Sequence, residues 1–494
     1  MNKPTRHTRQ AGFTLVELMV SMVIGLLIVL ALITLLINVT RNNSELAKTN
    51  SQIENGRFAI QLLQNDLAHA GFWGGHVPQF DDLIQVNAPT DVPKDYPVVT
   101  PVVTAVPDPC ANWAALVANS DPAVLATYKS NLIGISVQAY GATPPESGTG
   151  TGCATNFATN KQANTDVLVV RHSETCGFKW DAVTSAWVKD SPNCEADAAG
   201  KLYFQASLCE KEISDLVQAA TGTTVTLASF ASTIDDFYKG HTVRIVLGNG
   251  VGQTRVISGY AGTTKVATLS IAWTDIPSLS SEYVLDPGYV LDTSGHVFRK
   301  RNCATVADKR KFISNIYYVR NYAVTVGDGI PTLMRSQFDL AAGTLAHQAA
   351  QPLIEGIEGF SVEFGIDSVS DSGGAVVPTA AIAWADSTTK TSPTNRGDGI
   401  PDEFKTASEM ASAPSGACTV AGTACYLAAN VVAVKLHVLA RARDASPGYT
   451  DTKTYTLGST TLGPFTGEQA KYKRHVFSTT VRLTNVSGRR ETPP

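Results

Sequence analysis

From Phe13 to Val39 the chain is a run of apolar residues with a single charged side chain, Glu17. At about 1.5 Å per residue, the 27 positions of this run extend about 40 Å as a helix, against a hydrocarbon core of roughly 30 Å. The run is therefore long enough to span a bilayer. A carboxylate near the bilayer core costs roughly 2.5 to 3.5 kcal/mol on the insertion scale, so Glu17 implies a partner or a function. Past Val39 the pattern becomes one-sided. Leu46, Ile53, Ile60 and Leu67 recur every seven residues, with Leu63 and Ala70 beside the last two and Arg41, Glu45, Lys48, Glu54 and Arg57 between them. This predicts one helix from Phe13 to about His69, stopped by Gly71 and the Gly74-Gly75 pair. Thr49 and Gly56 occupy the places of a second apolar seam, which argues against a coiled-coil stalk.

After the helix the pattern turns to period two. Strands are expected at Val167–Arg171, Ile313–Val319, Gly359–Ile366, Val431–Arg441 and Val476–Leu483. Along the third, Phe360, Val362, Phe364 and Ile366 share one face, with Ser361, Glu363 and Asp367 on the other. From His76 to about Asn164 the chain is rich in Pro, Ala, Gly and Thr, and reads as a long excursion with at most one short helix, near Trp113–Val117. Between about Glu210 and Pro287, short strands at Val225–Leu227, His241–Leu247, Gly252–Gly259, Val266–Ile271 and Glu282–Leu285 are separated by Gly-rich turns. They read as an inserted β module, or as further strands of the same sheet.

Lys3, Arg6, His7 and Arg9 precede the apolar run, so the positive-inside rule keeps the N-terminal stub cytoplasmic and sends the rest across the membrane. An ordinary secretory signal has its small-residue cleavage site after the apolar core; here Gly12 comes before it. The unit Gly12-Phe13-Thr14-Leu15-Val16-Glu17-Leu18 resembles the class III signal of type IV pilins and type II secretion pseudopilins. That resemblance implies cleavage between Gly12 and Phe13 by a prepilin peptidase, N-methylation of Phe13, and Glu17 as the fifth mature residue. Glu17 would then neutralise the Phe13 ammonium of a neighbouring subunit and set the register of assembly. Two further segments are similar to the PilW family of minor pilins: Leu62 to Gly75 at the helix end, in which Asp66-Leu67-Ala68-His69-Ala70-Gly71-Phe72 has the family's Asp-Leu-x-x-Ala-Gly-aromatic pattern, and Arg474 to Asn485 near the C-terminus.

The expected fold is accordingly α+β and pilin-like. One long N-terminal helix, transmembrane over about 13–39, packs on an antiparallel sheet that carries an inserted small all-β module. The expected division is a removed leader over 1–12, the helix over 13–75, a first ectodomain part with long loops over 76–209, the module over 210–287, and a C-terminal β part over 288–494. Its 494 residues exceed what one core normally supports.

The 39 basic and 43 acidic residues give a net charge of -4. Loss of Lys3, Arg6 and Arg9 leaves 36 minus 43, or -7, and no basic tract points to nucleic acid. All eight cysteines follow the apolar run, which fits disulfides in an oxidising periplasm, with Cys418 and Cys425 the expected pair around a turn-like Ala421-Gly422-Thr423. No C-x-x-C spacing supports zinc. Asp398-Gly399-Ile400-Pro401-Asp402 holds part of a calcium loop, with Asp398 and Asp402 as its carboxylates; Thr394 and Arg396 fill the preceding ligand positions, so an Asx-type turn competes. No cofactor is otherwise expected. Neither G-x-S-x-G nor H-E-x-x-H occurs, and the adjacent His172-Ser173-Glu174 alternate faces on a strand, so no enzyme is expected.

The resemblance implies a structural minor pilin that joins other minor pilins, primes the major pilin and sits at the tip. It would be held in the inner membrane before assembly, with its C-terminal domain in the periplasm, and reach the cell surface in the pilus. A PilY-type tip adhesin is a further implied partner. Two other readings stay open: a minor pseudopilin of the type II secretion system, and a tip adhesin whose module binds a ligand.

Overall fold

The computed structural model describes residues 12, 14–76, 103–141, 160–206, 214–239, 241–286, 289–293, 298, 300, 302, 304–341, 343–377, 383–386, 391–418, 420–488 and 490. Helix α1 runs from Leu15 to His69. It starts in a capping box: the Thr14 hydroxyl accepts the Glu17 N–H at 3.3 Å, while the Glu17 carboxylate accepts the Thr14 N–H at 2.9 Å. It ends at Ala70, after which Gly71 takes a φ of +73°, a left-handed conformation that favours glycine.

The docked face follows the expected seam only toward the helix end, where Leu63, Leu67 and Ala70 are buried. The buried residues of α1 are Gln52, Gly56, Ala59, Leu63 and Leu67, whereas Leu46 is 61% exposed. The reason is the partner. A strand, not a second helix, lies against this stretch, and its Phe477 ring fills the space where a Gly56 side chain would stand. A Cβ placed there would be 2.1 Å from the ring. Small and polar positions let the backbones approach, and Gln52 donates to the Ala440 carbonyl at 2.9 Å, so the buried amide is satisfied.

Two antiparallel sheets meet under this helix. The first has the order Val137–Tyr140, Val167–Ser173, Arg310–Arg320, Thr332–Ala341, with Thr344–His347 and Gln351–Glu355 on the last of these and Tyr203–Ala206 and Tyr289–Asp292 off Arg310–Arg320. The second has the order Glu403–Thr406, Ile357–Ile366, Val431–Arg441, Arg474–Arg482. Asp166 splices them: its N–H donates to the Phe360 carbonyl at 2.8 Å and its carboxylate accepts the Val362 N–H at 2.9 Å. One core spans the splice, joining Ala59, Leu63, Leu67 and Ala70 of the helix to Leu168, Tyr317 and Leu333 of the first sheet and to Phe360, Val362, Val434 and Leu436 of the second.

The strands stand where period two places them, but the outer face of Ile357–Ile366 is covered as well. Ser361 and Asp367 are buried. The hairpin Tyr455–Leu457 and Thr460–Leu462 packs on Leu439 behind it, and Arg490 pairs with Asp367 at 3.1 Å. The excursion after the helix also holds more structure than expected. Besides helix α2, Trp113–Val117, it contains helix α3, Pro122–Gly134, and the strand Val137–Tyr140.

The chain leaves the first sheet through Tyr203–Ala206 and returns through Tyr289–Asp292, two strands paired with each other. Between them lies a seven-stranded sheet in the order Ser214–Leu216, Glu282–Asp286, Thr242–Leu247, Thr254–Ala261, Val266–Leu269, Thr224–Thr226, Ala219–Ala220. It has a core of its own, built on Phe237, Tyr238, Ile245, Ile257, Tyr260, Trp273 and Tyr283.

Gly56→Ala tests the close approach. Overpacking costs about 1 to 3 kcal/mol, offset by about 0.8 to 1.0 kcal/mol of helix propensity, so a net loss of up to about 2 kcal/mol is expected in urea unfolding. Adding Phe477→Leu should recover much of that loss in a double-mutant cycle. A neutral or stabilising Gly56→Ala would show that the contact does not constrain the helix.

Candidate functional site

Among the described residues, nothing covers α1 from Leu15 to Val39. Its large apolar side chains from Leu15 to Val39 are 47 to 75% exposed, and the most apolar window of the helix has a mean hydropathy of 3.1 with no residue buried. Gly12 is exposed, with nothing within 4 Å of where a Cβ would stand. Phe13 lies outside the described residues. The Glu17 carboxylate is held on Thr14, whose hydroxyl also donates to it at 2.8 Å.

The second half of α1 is tied to both sheets at its end. Asp66 accepts from Asn315 Nδ2 at 3.1 and 3.0 Å and from the Tyr317 hydroxyl at 3.0 Å, and its Oδ1 lies 3.1 Å from His172 Nε2. Burial, and the Asp66 charge beside it, push the Tyr317 hydroxyl well above its ordinary pKa, so it stays a donor. One turn later, the Gly71 N–H donates to the Arg171 carbonyl at 3.0 Å and the Ser173 N–H to the Phe72 carbonyl at 2.7 Å, so the chain leaving the helix covers the end of Val167–Ser173 beyond its pairing with Val137–Tyr140. Trp73 then sinks between Phe204 and Phe312.

The strand Arg474–Arg482 runs alongside α1 in the same direction. Lys473 pairs with Glu45 at 2.7 Å, Phe477 meets Gly56, and Thr479 accepts from Gln64 at 3.0 Å. Arg474, fully buried, is held by Glu358 and by Asp451, the latter at 3.2 Å. Asn485, three residues beyond the strand, donates to the Ala68 and Ala70 carbonyls at 3.1 and 3.3 Å, capping the helix end, while Val486 closes over Gly71. The two segments singled out in the sequence for their resemblance, Asp66–Phe72 and Arg474–Asn485, are thus one contact in space.

The remaining candidates lie elsewhere. Asp398 accepts the Ile400 N–H at 2.8 Å, and Asp402 accepts the Ser368 and Val369 N–H groups at 2.7 Å each. Asp367 faces the Asp398 and Gly399 N–H groups from below, and its carboxyl is pushed up by burial, with Arg490 opposing. This turn packs the C-terminal segment onto the end of the second sheet. Among the described residues no group of three or more His, Cys, Asp or Glu is placed to hold a metal ion. Cys418 is bonded to Cys425, and Cys176 to Cys194. Sequence reasoning did not single out His172, Asn315, Tyr317 or Asn485 as partners of the helix. Only Asp66, a lone acid on the inner side of an amphipathic helix, hinted that polar partners await it.

Asp66→Asn should cost about 1 to 3 kcal/mol, because the new amide N–H₂ faces donors from Asn315 or Tyr317 and leaves one unsatisfied. Urea unfolding followed by tryptophan fluorescence reports it through Trp73; a wild-type midpoint would remove Asp66 as an anchor.

The chain matches the family of Type IV Pilus-assembly protein W over residues 316–485, and the prokaryotic N-terminal methylation motif over residues 7–35. Neither a curated protein nor a solved structure matches it. The first match opens within the strand that carries Tyr317, closes on the capping Asn485 and leaves out the inserted module; the second covers the exposed apolar half of the helix. These two matches, on regions joined through one helix, support a PilW-family type IV pilin.

Proposed function

We propose that this pilin is a minor pilin, processed between Gly12 and Phe13 by prepilin peptidase, methylated at Phe13, and incorporated with other minor pilins into the complex that primes the major pilin and occupies the tip. The observation that carries this reading is the division of α1 into a docked half and a bare one. Gln52 to Leu67 is spent on the ectodomain, whereas Leu15 to Val39 is covered by none of the described residues. An apolar helix of this kind is stable in lipid, and leaves it only for a bundle of similar helices. The subunit would therefore wait in the inner membrane with its ectodomain in the periplasm, and enter a fibre whose core is made of such helices.

Glu17 is the one charge in the bare half. Held on Thr14 in the lone subunit, its carboxylate can turn to the Phe13 ammonium that cleavage creates on a neighbour. The family match favours a pilus over a type II secretion system. A tip position suits a subunit with so large an inserted module, since a repeating shaft would have to pack it on every side. From there it could meet a PilY-type adhesin. Calcium at Asp398 and Asp402 is not needed for any of these steps.

Gly12→Val should block processing, leaving the uncut chain in the inner membrane. Equal mobility of wild type and variant in cells with active peptidase would sink the cleavage assignment.

Glu17→Leu should be cut, stable and membrane-inserted, yet fail to co-purify with the other minor pilins. Thr14→Ala, which removes only the cap at a cost of about 1 kcal/mol, should still assemble. Normal assembly of Glu17→Leu would show that the carboxylate is dispensable, and equal failure of both variants would assign it to capping alone.

A further inference from the structure

Away from the helix dock, a cleft of about 1000 Å³ opens where the inserted module meets the first sheet. Its walls are α2, α3, the module turn from Asp236 to His241, and the strands Tyr289–Asp292 and Thr344–His347. The volume is at the top of the range of small-molecule sites, and a junction between packed units is where such sites form. Its surface is chiefly apolar, with Leu116, Leu125, Phe237, Leu291 and Leu345 among the lining residues.

Four charged side chains line this cleft. Asp236 and Lys239 pair with each other at 3.3 Å. The Asp292 carboxylate accepts the Thr293 N–H at 2.7 Å. Lys129, on α3, has no hydrogen-bond acceptor or ion pair among the described residues. Its ammonium lies 6.0 Å from the Trp113 ring centroid, at the outer limit of a cation–π contact. Burial lowers its pKa and the field of Asp292 opposes that shift. An ammonium half withdrawn from water with no acceptor is costly, and an added anion would relieve the cost through a charge-assisted hydrogen bond.

We propose that this cleft binds a small amphipathic carboxylate, its alkyl or aryl body among the leucines and Phe237 and its carboxylate on Lys129. The ring of Trp113 is engaged edge-on with Tyr128 and Phe338, so it forms a wall rather than a stacking platform. The site belongs to the junction of module and pilin body, and so lies outside the region matched to the PilW family at its α2, α3 and module walls.

The test uses the full chain in lipid nanodiscs, titrated with 4-phenylbutyrate and, separately, with its neutral counterpart 4-phenyl-1-butanol, by saturation-transfer NMR against empty nanodiscs. The acid should bind about tenfold or more tighter than the alcohol. Lys129→Gln should abolish that difference without changing the alcohol, Lys129→Arg should keep most of it, and Leu125→Trp should fill the cleft and weaken both. Unchanged melting temperatures keep these readings apart from misfolding. Equal affinity of acid and alcohol, an unaffected Lys129→Gln, or no binding of the acid at millimolar concentration would overturn the proposal.

Discussion

The closeness of α1 to the strand Arg474–Arg482 is the constraint on which the rest of the packed structure depends. A helix can lie this near a strand only where it offers no side chain, and Gly56 is that place. Phe477 enters the gap, Ala59 and Leu63 follow into the core, and Asp66 and Asn485 fix the end. Both sheets are recruited by this one helix, because Asp66 draws on the first through Asn315 and Tyr317 while Asn485 extends from the second. The splice at Asp166 then has to hold only two edges that the helix has already brought together.

The same helix must release its other half. The transition falls at a clamp around Glu45, whose carboxylate takes Lys473 at 2.7 Å and the Ser446 hydroxyl at 2.7 Å, while Lys48 donates to the Ala445 carbonyl at 2.9 Å and Arg41 to that of Pro447. Lys473 and Ser446 hold the Glu45 carboxyl down to about 2. This contribution is complete above the ordinary Glu pKa of about 4.3 and is lost as pH falls through about 2, so it operates at neutral pH. The group is near water and screened, which makes the clamp a device of orientation more than of stability. It sets where the free segment leaves the ectodomain.

How much of this was legible in the sequence follows from which signals are local. The helix, its glycine stop and the five strands rest on periodicity, and stand within a few residues of their expected bounds. The docking face was legible only toward the helix end, at Leu63, Leu67 and Ala70; earlier along it a helix against a strand selects small residues, and Gly56 looks like a defect until Phe477 is beside it. Helix α3 was missed for a different reason. Asp121-Pro122 is an N-cap followed by proline at the first helical position, and Leu125, Tyr128 and Leu132 keep a helical spacing, but the Pro- and Ala-rich surroundings masked them. The partners of Asp66 could not have been read at all, since they lie 106 to 251 positions away along the chain.

The inserted module illustrates the converse. Its entry and exit strands, Tyr203–Ala206 and Tyr289–Asp292, pair with each other, so the two ends of the insertion are neighbours in the fold. With a separate sheet and a separate core, it imposes no demand on the helix dock. Loop-closure entropy for so long an excursion grows only slowly with length, so a pilin body can carry a large insertion at modest cost. The region matched to the PilW family omits the module, opens within the strand that carries Tyr317 and takes in the whole second sheet. The cleft at the base of the module draws one wall, Thr344–His347, from inside the matched region and its others from outside it.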